Sequence, residues 1–99
     1  MNLLGQAVSV GDISEFLGDR VRTLVGDRST KVTTAAPILP GRAQALSFLK
    51  SGQPNAWAAL QTTASTAVLV ELAILPEMPC AWAGPDLIFV LEPRLEFAR

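Results

Sequence analysis

Histidine is missing from this chain, and so is tyrosine. Imidazole is the side chain most often used for proton transfer near neutral pH, so the first absence removes Ser-His-Asp and Cys-His catalysis. It also leaves a zinc site with one thiol and no ring nitrogen, a poor donor set for that ion. There is a single cysteine, Cys80. One thiol closes no internal disulfide and points to a reducing, cytoplasmic compartment. Charged residues make up 17% of the chain and the net charge is −1, with no block of one sign. That argues against a nucleic-acid partner, whose phosphates demand clustered cations. No apolar run is long enough to span a bilayer, and Met1 to Gly5 lacks the basic start and long apolar stretch of a signal peptide. Internal repeats and low-complexity segments are absent, and with them any hexapeptide β-helix.

What is present describes one globular domain. Apolar residues make up 49% of 99 residues, enough for one modest core. Residues 1–8 are expected to be a flexible start and 9–99 the domain. Ser9 with Asp12 three residues on marks a helix start, and Val10, Ile13, Phe16 and Leu17 share one helical face. Gly18 is placed to end that helix in the left-handed conformation. Residues 20–25 and 31–35 have strand character around the Gly26-Asp27 turn signal, and a hairpin or meander is expected there. Ala45 to Leu49 is a third candidate strand. Asn55 stands where it would cap a helix over the following residues to Thr62. Ala67 to Leu72 and Leu87 to Leu91 are short apolar runs suited to buried, parallel strands. Pro76 to Pro85 is a proline-rich loop, and Pro93 is placed to open a last helix. Strands alternating with helices predict an α/β fold, or α+β, built on a small mixed sheet with short helices packed on it.

The order of these pieces carries a resemblance. Phe16-Leu17-Gly18, the 20–35 pair, Pro37-Ile38-Leu39, Leu46-Ser47-Phe48-Leu49, Ala64 to Val70, Leu87 to Leu91 and Glu92-Pro93-Arg94 follow one another as in the N-terminal domain of the UDP-3-O-acylglucosamine N-acyltransferases of lipid A biosynthesis (LpxD). The likeness covers roughly residues 9–99, and Glu92-Pro93 replaces the family's Asn-Pro step. It implies a uridine-binding domain that recognises a nucleotide sugar and does no chemistry. In that family, acyl transfer from acyl carrier protein to the UDP-linked glucosamine belongs to a following β-helix domain that carries the catalytic His and forms the trimer. This chain is therefore expected to be a monomer without catalysis or cofactor.

The resemblance implies a uracil held between aromatic rings, with an Asn amide on its edge. Phe48 matches the first ring directly. Trp57 is the candidate for the second, and Asn55, which follows Pro54 where the family's Asn precedes its proline, is the candidate amide. Such a set makes chemical sense, because a neutral planar base is gripped by flat faces at about 1–3 kcal/mol per stack, and an amide pairs with its imide edge as donor and acceptor. Lys50 and Arg42 are the candidate phosphate contacts. Plainer roles stand beside these: Phe48 and Trp57 as core, Asn55 as a cap, Cys80 as a small buried residue, Trp82 as a partly buried flank of its loop. Two other functions are open. One is a Mur-ligase-like N-terminal domain, from which Thr33-Thr34-Ala35-Ala36 departs by lacking an Asp-Ser-Arg step. The other is a protein-interaction or scaffold domain that kept the fold without the ligand.

Overall fold

A computed structural model describes residues 7–49, 52, 55–80 and 82–98. Strand β1 (Val8–Ser9) runs straight into helix α1 (Val10–Leu17). The Ser9 hydroxyl accepts from the Asp12 N–H, and the Asp12 carboxylate accepts from the Ser9 N–H, each at 3.0 Å. This reciprocal box satisfies two of the amides that a helix start leaves unpaired. Val10, Ile13 and Leu17 are buried, whereas Phe16 is 44% exposed. Phe16 therefore does not belong to the core face on which its spacing had put it. The last helical bond runs from the Gly18 N–H to the Ser14 carbonyl, with Gly18 at φ 60° and ψ −127°. Its φ is positive as expected, but its ψ lies outside the left-handed helical region, because the chain turns into a short 3-10 segment, Gly18–Arg20.

Four more strands follow: β2 (Thr23–Val25), β3 (Lys31–Val32), β4 (Thr34–Ala35) and β5 (Ala45–Phe48). The expected hairpin over 20–35 is not formed. Strand β3 pairs with β1, β4 lies parallel to β5, and β2 pairs with a strand more than sixty residues downstream. The local signal was correct: the Asp27 carboxylate accepts from the Ser29 N–H at 2.8 Å and its hydroxyl at 2.7 Å, a side-chain turn of the kind Asp favours. The partners differ because Val10 and Gly11 donate to the carbonyls of Thr30 and Arg28. Those bonds tie the far side of the turn to α1 and divert it from β2.

Helix α2 (Ala56–Thr62) leads to β6 (Ala67–Glu71), a 3-10 segment over Leu72–Glu77, strand β7 (Asp86–Val90) and helix α3 (Pro93–Ala98). The main sheet has the order β2-β7-β6-β5-β4, with β4 to β7 mutually parallel and β2 antiparallel at one edge. This is the small mixed sheet with short helices that the alternation predicts. Every residue from Ala67 to Val70 and from Leu87 to Val90 is buried, which requires cover on both faces. On one face, Leu46, Leu69, Ile88 and Val90 pack with α1, β1, β3 and Phe97 of α3. On the other, Leu49, Val68, Val70, Leu87 and Phe89 pack with α2 and the segment after β6. A seven-residue helix such as α2 has no stability of its own in water. It is held by Ala59 and Leu60, both buried on the second face. Among the described residues no helix is long and apolar enough to cross a membrane.

Candidate functional site

In open α/β sheets, ligands settle outside the carboxyl ends of the parallel strands, where loops diverge and backbone groups are free. Here that edge is formed by Phe48 at the end of β5, Glu71 at the end of β6 and Leu91-Glu92 after β7. Arg22 enters β2 beside them, its N–H on the Phe89 carbonyl at 2.8 Å. Phe48 lies opposite Leu69 in the register. Its side chain is only partly buried, and its ring meets Phe97 with centroids 4.8 Å apart at 44°. Phe97 was not anticipated as its neighbour, since nothing local in Leu95 to Arg99 says which strand end the helix will cover.

The turn after β5 is anchored across the edge by a side chain. The Gly52 N–H donates to the Glu71 carboxylate at 3.0 Å. An acid ending an apolar strand was the available signal for this latch, and it was missed. Asn55 closes the turn in the left-handed conformation, φ 57° and ψ 39°, a region Asn tolerates better than most residues. It stands at the cap position of α2, with its carbonyl accepting from the Ala59 N–H at 3.1 Å, but its side chain makes no capping bond. Its exposed side-chain amide has no hydrogen-bond partner among the described residues.

The other candidates are placed apart. Trp57 belongs to the cluster on the opposite face of the sheet from Phe48. Its indole N–H donates to the Ile74 carbonyl at 3.2 Å, and its ring meets Trp82 edge-on at 5.2 Å. Arg42 lies beyond the amino end of β5, where its carbonyl accepts from the Ala45 N–H and its own N–H donates to Ser65. Phe48 and Asn55 flank the same turn. Trp57 and Arg42 are not brought to Phe48, and Lys50 falls outside the described residues. Cys80 is exposed, not the buried small residue expected, because the loop that carries it runs over the surface. Trp82 is partly buried as expected. Among the described residues no group of acids and thiols could hold a metal ion.

No protein-family model matches this sequence, and no curated protein matches it either.

Proposed function

We propose that this chain is a nucleotide-sugar recognition module that takes the uracil of a UDP-linked acylglucosamine at the carboxyl edge of β5. The observation that carries the reading is the partly exposed ring of Phe48 at the end of a parallel strand, before a turn whose Asn55 amide has no partner among the described residues. Phe48 supplies a flat face and Asn55 a paired donor and acceptor for the imide edge. With Trp57 committed to the other face, Phe48 is the single platform, and Phe97 buttresses its ring. Arg42 lies beyond the opposite end of β5, so Lys50, two residues beyond Phe48 in the sequence, is the phosphate partner we propose. The fold accords with the resemblance to the lipid A N-acyltransferase domain, in which the acyl transfer itself is done by other residues. A lone, exposed thiol accords with a cytoplasmic setting.

Titration with UDP-N-acetylglucosamine, followed by backbone amide shifts, tests the proposal. Saturable shifts are expected at 46–49, Gly52 and Asn55. Phe48→Ala should weaken binding about 5- to 150-fold, the equivalent of one lost base stack. A flat response from a folded spectrum would reject the ligand and leave the interaction-domain reading.

A further inference from the structure

On the face of the sheet opposite Phe48 lies an open depression of about 300 Å³ lined by Gln61, Trp82, Ala83 and Gly84. That volume is at the lower end of small-molecule sites. Its one large wall is the indole of Trp82, and three contacts fix that ring. The indole N–H donates to the Pro85 carbonyl at 2.9 Å. Trp57 meets it edge-on at 72°. Gly84 lies so close that an added Cβ would overlap the ring carbons of Trp82. The ring is thus held in place before anything binds, so its ordering is not charged against a ligand. Gln61 is exposed on α2 and its side-chain amide has no partner among the described residues. It offers two N–H donors and a carbonyl acceptor. None of the four lining residues is charged.

These features select a ligand class. The absence of charge among the described lining residues fits a neutral molecule. A single aromatic wall suits a ligand stacked on one side only. The electron-rich face of an indole attracts the slightly positive hydrogens of aliphatic C–H groups, and an amide pairs equally well with a hydroxyl acting as donor or as acceptor. A hexopyranose combines the two, with a patch of C–H groups on its flat face and hydroxyls around its rim. We infer that the Gln61–Trp82 depression is a binding site for an uncharged hexose unit, separate from the uracil site proposed at Phe48.

The probe is free N-acetylglucosamine, with uridine as the control ligand. The readouts are the Trp82 indole N–H and the Gln61 side-chain amide by NMR. Saturable shifts of both groups in about the millimolar range are expected. Gln61→Ala removes an exposed side chain that supports nothing in the core, and should weaken the sugar about five- to tenfold with the rest of the spectrum unchanged. No saturable shift up to about 50 mM sugar in a folded spectrum overturns the site. Sugar shifts that Gln61→Ala leaves at full affinity overturn its assignment to this depression. Movement of the Trp82 and Gln61 signals by uridine and not by sugar replaces a hexose with a base. The uracil reading stands or falls separately, on the amides at 46–49.

Discussion

Two serine hydroxyls buried together beneath the β4–β5 connection give a prediction whose parts can be assigned proton by proton. Ser47 is fully buried and Ser65 nearly so, with their oxygens 2.6 Å apart. Ser47 has one hydroxyl proton, and the Ala36 carbonyl at 2.7 Å takes it. Ser65 must therefore donate to Ser47, which leaves its lone pairs to accept from the Arg42 N–H at 3.2 Å. The result is a one-way chain from Arg42 through Ser65 and Ser47 to Ala36. Ser47→Ala breaks it in the middle, leaving a buried hydroxyl without an acceptor and a carbonyl without its donor. At about 1–3 kcal/mol for each orphaned group, partly relieved by relaxation, the cost is about 2–4 kcal/mol. Ser65→Ala leaves Ser47 still bonded to Ala36 and orphans only the Arg42 N–H near the surface, for about 1 kcal/mol. The double variant removes the orphaned Ser65 hydroxyl as well, so it should cost less than the two single changes added together, with a coupling of about 1 kcal/mol. A domain of this size has about 5–15 kcal/mol in all. Urea unfolding followed by circular dichroism would show the Ser47→Ala midpoint falling by about 2 M. Equal costs for the two single variants, or strict additivity, would refute the directional chain.

Other outcomes can be stated briefly. The Asp12 carboxyl is held below its ordinary range by the hydrogen bond from the Ser9 backbone N–H, then by the Ser9 side chain. Because the folded value is depressed, the stability this group contributes is present above about pH 3.8 and is lost as pH falls through the folded value. Asp12→Asn should therefore flatten that part of an acid titration of stability, and an unchanged profile would exclude the linkage. Phe16→Ser should change stability by less than about 0.5 kcal/mol, while Ile13→Ala on the same helix should cost about 2–5 kcal/mol; thermal and urea unfolding would separate them. The Arg20 guanidinium meets the buried Glu96 carboxylate at 3.1 Å. Arg20→Met should cost about 2–4 kcal/mol, because it takes this counter-charge from a buried carboxylate, and the deficit should change little with salt; urea unfolding at low and high salt would check both.

The elements were easier to read in the sequence than their pairing. The Ser9–Asp12 start, the parallel runs at 67–72 and 87–91 and the Pro93 helix start all depend on neighbours within a few residues, where local chemistry decides. The hairpin expected at 20–35 failed because alternation marks a strand without naming its partner, and the partner of Thr23–Val25 is Phe89 to Leu87, far along the chain. At the candidate site, Phe48 ends β5 and Asn55 stands at the cap position of α2, so the two flank one turn, as their order in the sequence implies. Trp57 looked equally close, yet strand alternation and the direction of α2 send it to the other face. Nine residues of separation do not reveal on which side of a sheet a ring will lie. The contributions of Phe97 and Glu71 at the same edge come from other elements, and only the assembled sheet brings them there.

Strand β7, last of the strands to be synthesised, lies inside the sheet between β2 and β6. Among the described residues it is also the only neighbour that β2 has. On a ribosome this order becomes an interval of time. Thr23–Val25 emerges, and 60 residues then follow before Asp86 appears, about 3–12 s at common rates of elongation. Through that interval the backbone amides of β2 have water, a chaperone or another nascent copy to pair with, but not their own partner. Strands β1 and β3, and β4, β5 and β6, have their partners earlier, so the arrival of Asp86–Val90 is the event that joins β2 to the rest of the sheet.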